Sequence, residues 1–159
     1  MRADYSTQPR SSPFECLPLR HSWPISQQHR HFELGCLLSS LVTDAIAPAS
    51  VGELAIHHAG CWECNLADNS LVWSGGVYDI FGLPRGASVS REQAVALYSD
   101  ESRAKMELLR AHAIRHRRGF TLDVEIQPLA GKDRWIRLIC APVCEGDRVV
   151  RLHGLKLIV

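Results

Sequence analysis

The chain has 159 residues, 46% of them hydrophobic, and 18 Lys+Arg against 17 Asp+Glu give a formal net charge of +1. That length fits one domain with a tail, and a chain of this size buries ~68–70% of its unfolded surface, so it needs neither metal nor disulfide to fold. The near-neutral balance argues against a dedicated nucleic-acid binder, and no apolar run approaches the ~20 residues of a membrane span. The N-terminal MRADYSTQPRSSPFEC lacks the apolar segment of a secretory signal, so its six cysteines are expected to be reduced thiols in the cytoplasm.

Residues 1–30 are rich in Ser, Arg, Gln and His, with Pro9, Pro13, Pro18 and Pro24 spaced along them. Recurrent prolines remove backbone donors, and the sparse apolar pattern offers little to offset ordering entropy, which predicts a disordered tail. From 31 to 48 the pattern changes. Leu34, Leu37, Leu38, Leu41, Val42 and Ile46 recur at helical spacing and predict an amphipathic helix that Pro48 ends. Such a stripe needs a cover, either the sheet of its own domain or the same helix of a second copy, so a homodimer is expected. Ser50 and Glu53 form a capping-box pair that opens a short helix reaching Ala59, with Gly60 as its stop.

CWECNL and LVWS then read as two short strands joined by a turn at Ala67–Ser70. Glycines at 75, 76, 82 and 86 and Pro84 limit VYDIF to one or two helical turns. Ser90 with Gln93 predicts a helix over 91–98. Ser99 or Asp100 caps the longest helix, over 101–118, with a stripe of Met106, Leu109, Ala113 and Ile114 and Gly119 as its C-cap. FTLDVEI, RWIRLICAPV and RVVRLHGLKLIV are three strands of a meander, with turns at Ala130–Asp133 and Glu145–Asp147.

Cys61 and Cys64 form a C-x-x-C, but on a regular strand they face opposite ways and do not chelate one ion. With Cys140 and Cys144 they read as small hydrophobes, and no metal is expected. His112 and His116 share a helix face among Arg110, Arg115, Arg117 and Arg118, which reads as a solvated basic surface. The sequence has no phosphate-binding glycine loop, nucleophile elbow or zincin helix, so no catalytic site is expected.

In their order and spacing, GCWECNL, LVWSGGVYDIFGLPRG, YSDESR, GFTLDVEI and AGKDRWIRLICAPVCEGDRVVRLHG resemble a PAS domain over 49–159. The variety is the one with Trp in the first strand and rW in the fourth. Departures are Asn65 and Glu125, where that variety has Asp and Arg, Ala130-Gly131 in place of its Asp-Gly, and the lack of its closing DIT. The resemblance implies an α+β fold, a five-stranded antiparallel sheet with short helices over one face and the first strand between the second and the fifth. It also implies a cavity between helices and sheet, with Trp62, Cys64, Ile136, Leu138, Cys140 and Lys156 as pocket candidates. Trp135, Arg137 and Ile139 would point the other way. Lys156 is expected to reach water where the last strand frays; a carboxylate such as Glu125 or an anionic ligand is the alternative.

Haem-binding relatives place a His on the long helix, which makes His112 and His116 the candidates for that ligand. Relatives with a thiol-linked chromophore place its cysteine in the helical middle, and none lies between Cys64 and Cys140 here, so a covalent chromophore is excluded. Non-covalent flavin stays open, and no cofactor is the first expectation. The functional expectation is a stand-alone cytoplasmic sensory or protein-interaction module that signals through a protein partner in trans, with room for a small-molecule ligand. The alternatives are a haem or flavin sensor, and the sensor fragment of a histidine kinase (a two-component system) or cyclic-dinucleotide enzyme whose output domain is absent.

Overall fold

A computed structural model describes residues 21–32 and 58–159. One antiparallel sheet of six strands organises them, in the order β1-β4-β5-β6-β2-β3. The strands are β1 (Ser22–Pro24), β2 (Ala59–Asn65), β3 (Leu71–Trp73), β4 (Arg118–Ile126), β5 (Arg134–Glu145) and β6 (Arg148–Ile158). The helices are α1 (Gln28–His31), α2 (Gly75–Phe81), α3 (Arg91–Val95) and α4 (Asp100–His116). β2 lies between β3 and β6, the placement the PAS resemblance implies.

The turns form where their chemistry is written. Asn65 Oδ1 accepts from Ala67 N at 2.9 Å, Asp68 Oδ1 accepts from Ser70 N at 2.9 Å, and Asn69 sits at φ 59°, so the chain reverses from β2 into β3. Ser90 and Gln93 complete a reciprocal capping box at α3. Ser99 caps α4, accepting from Ser102 N at 3.3 Å. Gly146, at φ 60°, turns β5 into β6. Strand alternation then sorts the side chains. Trp62, Cys64, Phe120, Leu122, Ile136 and Leu138 meet the helices on one face, where Met106, Leu109 and Ala113 of α4 complete the core.

Three boundaries differ from the sequence reading, the first being α3, which ends at Val95 rather than Tyr98. α4 ends at His116, with Arg117 at φ 53° as its left-handed cap, and Gly119 lies inside β4. β2 starts at Ala59, so Gly60 does not stop a helix; a Cβ there would collide with Val77 N, and one on Gly76 with Ala59 O, so the pair lets α2 approach the sheet backbone. The short helix expected from Ser50 otherwise lies outside the described residues.

The larger correction concerns the tail. Its last part, residues 21–30, is structured: β1 pairs with the edge of β4, Ser22 opposite Phe120 and Pro24 opposite Arg118, which makes the sheet six-stranded rather than five-stranded. Trp23 anchors the segment. Its indole N–H donates to Thr121 Oγ1 at 3.1 Å, its ring stacks on His31 at 4.2 Å, and it occupies the space that a Cβ on Gly119 would need. Trp23 and Phe32 cover Cys61, Ile139, Ala141 and Leu155 on the outer sheet face. One tryptophan over a glycine on an exposed strand supplies the burial that the proline spacing does not. The stripe Leu34, Leu37, Leu38, Leu41, Val42 and Ile46 lies outside the described residues.

Candidate functional site

Between the inner face of the sheet and α3 and α4 lies a cavity of about 60 Å³. On that measure one water needs ~10–15 Å³, so the space takes four to six waters or a ligand of about as many heavy atoms. The sheet contributes Trp62, Cys64, Leu138, Cys140 and Lys156, and the helical side contributes Arg91, Ala94, Met106 and Arg110 together with Tyr98. Half-buried Leu71, Trp73, Arg91, Val95 and Arg110 give it its exposed rim.

Lys156 dominates the site. It is 6% exposed, well inside β6, with its backbone paired to Gly60 of β2 and Leu138 of β5. The strand does not fray there, which overturns the expectation that the head group reaches water. The pairing with Glu125 also fails, for reasons of parity: Glu125 alternates with the inward Val124 and Ile126 and so stands on the outer face. The Lys156 ammonium instead sits among four rings, 4.8 Å from the centroid of Phe81, 5.4 Å from Trp73, 5.5 Å from Trp62 and 5.6 Å from Tyr98. Among the described residues no carboxylate pairs with it.

Burial draws the Lys156 pKa down from 10.5 to about 7, because an ammonium loses most of its hydration there. The ring faces act in the opposite sense and favour the charged form. The neighbouring thiols supply no countercharge: burial pushes both Cys64 and Cys140 up, so both are neutral near pH 7. Tyr98 is raised by burial as well and stays a phenol. Arg91 is held by Glu107, and Arg110 donates to Asn69 Oδ1 at 3.3 Å. Among the described residues the lining therefore contains the basic side chains of Lys156, Arg91 and Arg110 and no carboxylate.

Five of the six pocket candidates meet at this cavity: Trp62, Cys64, Leu138, Cys140 and Lys156. Ile136 is fully buried in the core beside it and does not line it. Trp135, Arg137 and Ile139 point to the other face, as alternation requires. Cys61 and Cys64 are buried on opposite faces, in two separate clusters. His112 and His116 stand ring to ring at 4.4 Å on the outer side of α4, away from the cavity. Sequence reasoning missed Arg91, Arg110, Trp73 and Tyr98. Only the two arginines carried a signal, as charges within a turn of the apolar positions Ala94 and Leu109 of their helices.

The PAS resemblance brings flavin and haem into question, and the lining does not fit either one. A tricyclic flavin ring or a haem macrocycle is several times larger than the space, a buried lysine lines it, and neither helix histidine faces it.

No family model and no curated protein matches the chain. Solved structures do. The chain is similar to the N-terminal domain of a diguanylate cyclase with PAS/PAC sensor from Marinobacter aquaeolei, at 18% identity and a TM-score of 0.57 over 63% of this chain and 94% of that one. It is similar to a sensory box histidine kinase/response regulator from Burkholderia thailandensis, at 18% identity and a TM-score of 0.56 over 67% of this chain and 80% of that one. An RNA-binding light-oxygen-voltage receptor matches at 14% identity and a TM-score of 0.56, over 63% of this chain and only 29% of the receptor. From Ala59 to Ile158 the chain has the PAS fold, with a sixth strand added to its edge by the N-terminal segment.

Proposed function

We propose that this chain is a sensory or protein-interaction module without catalytic activity of its own, which signals through a protein partner. The observation that carries the reading is the cavity between helices and sheet, at the place where a PAS fold can couple an internal ligand to its surface. The neighbouring thiols and the phenol are neutral, and among the described residues no carboxylate lines the space; Lys156 is the group there that changes protonation state near neutrality, and the reading assigns it to ligand binding. The reading carries no resident flavin or haem. Homodimerisation through the stripe from Leu34 to Ile46 belongs to the same proposal. So does a cytoplasmic setting; no helix among the described residues is long and apolar enough to cross a membrane.

Native mass spectrometry of the freshly isolated full chain tests this reading, because it reports subunit count and bound mass together. A dimer, or a small molecule retained on the chain, is the expected result. A bare monomer that turns over a substrate in solution overturns it. Visible absorption of the same sample separates the haem or flavin alternative at once.

A further inference from the structure

The cavity combines an apolar and aromatic wall, a buried ammonium with no carboxylate partner among the described residues, and two arginines at the rim. Buried charges are ordinarily paired, because an isolated one is costly to remove from water. The four rings compensate only part of that cost. A second donor in the wall is unpaired: the indole N–H of Trp73 is buried and has no partner among the described residues. We propose that the cavity binds a small monocarboxylate of two to four carbons, its carboxylate on the Lys156 ammonium and its alkyl end against the aromatic wall.

Charge, size and polarity each favour that class. The lining charge is positive, with Lys156, Arg91 and Arg110 against Glu107 held outside on Arg91. The volume of about 60 Å³ matches acetate, propionate or butyrate, with four to six heavy atoms, at ~10–15 Å³ each on the measure that describes a water. The lining also carries Met106, Phe120, Leu138 and Leu152, an apolar surface suited to the alkyl end, while Arg91 is held by Glu107. The inference names the ligand of the sensor reading and rests on it for its purpose; the binding itself is tested separately.

Binding should take up a proton. The groups that face Lys156 are Cys64 and Cys140 from the sheet and Tyr98, Arg91 and Arg110 from the helical side. Cys64, Cys140 and Tyr98 are neutral, so among these the lysine is the group that changes state near neutrality. A carboxylate binding at pH 8 recruits the ammonium form, with uptake of about one proton.

Isothermal titration of the full chain with acetate, propionate and butyrate tests this, with propionamide and butyramide as uncharged controls. The titration is run at pH 8 in two buffers of different ionisation enthalpy. Expected is saturable binding of a carboxylate, uptake of about one proton, and at least tenfold weaker binding of the amides. Lys156→Met, with its fold verified by circular dichroism, should lose the carboxylate by at least tenfold. The comparison of acids with amides on the wild-type chain decides the matter even where that variant misfolds. Equal binding of acids and amides overturns the anion assignment while leaving an apolar ligand for the sensor reading. No binding by any of the five overturns the monocarboxylate proposal. A different mass retained in native spectra would then preserve the sensor reading alone.

Discussion

Replacing Lys156 by Met removes the ammonium and keeps a flexible unbranched chain among the same four rings. The pH-dependent part of the effect follows from linkage. The folded-state pKa is depressed from 10.5 to about 7, so between those values the unfolded chain binds more protons than the folded one. Wild-type stability at this group is complete above the unfolded pKa and is lost as pH falls through the window to the folded one. One pKa unit is worth ~1.4 kcal/mol, which makes the full penalty below pH 7 about 5 kcal/mol. The gain of the Met variant over wild type should therefore shrink by about 3 kcal/mol between pH 6 and pH 9.5. Urea unfolding of both proteins across that range measures it, and taking the difference cancels the titration of every other group. Packing changes contribute equally at all pH values and drop out of the slope. A difference that varies by less than ~0.5 kcal/mol would mean that the lysine titrates as it does in water; the burial argument would then be wrong.

Three further outcomes follow from the two sheet faces. Trp23→Ala should cost up to ~3–5 kcal/mol while its segment stays docked, with release of the segment capping the loss; faster hydrogen exchange at Thr121 and neighbouring β4 amides, with α4 unchanged, is the signature, and unaltered exchange would refute the anchoring role. Cys64 and Cys140, both raised by burial, should resist iodoacetamide in the native protein at pH 8 and react after unfolding, as peptide mapping would show. His153 is buried on the outer face with its pKa lowered from 6.5 by desolvation, so its contribution is complete above that value and lost as pH falls through the lower folded one. Wild type should therefore lose stability relative to His153→Phe on acidification below pH 6.5, and parallel pH profiles would contradict this.

The domain was legible because its punctuation is local. The Ser90–Gln93 box, the Asn65–Ser70 turn and the alternation of FTLDVEI each specify a conformation within a few residues. Parity alone then placed Trp62, Cys64, Leu138 and Cys140 on the side of the cavity. Trp23 was not legible, because its value comes from Gly119, 96 residues along the chain by their numbering, and neither residue announces the other. The Lys156 environment failed for a related reason. Its parity was correct, but three of its four rings, Trp73, Phe81 and Tyr98, come from short segments whose packing no periodicity describes. General experience of lysines favours solvent near a chain end, whereas pairing on both sides, with Gly60 and Leu138, fixes this one inside.

A lysine in that position is poor design for stability. An apolar residue of similar volume would fill the same space without desolvating a charge, and replacement of buried ionic groups in this way is often neutral or stabilising. Everywhere else around the cavity the chain follows the usual rules: inward strand positions are apolar, helix stripes are apolar, and the arginines on the helical side stay at the half-exposed rim. Among the described residues, a buried lysine and an unpaired Trp73 indole N–H in the wall of an otherwise apolar cavity are the pattern of a site kept for what it binds. The thermodynamics point the same way. An anion that restores the missing countercharge recovers part of the desolvation cost, so ligand binding and folding stability are coupled through this one group. An apolar cavity with a leucine at 156 would bind small molecules without that coupling. With the lysine present, occupancy changes the charge state and stability of β6, the strand that also carries Leu155 and His153 beneath Trp23 and Phe32 on the opposite face.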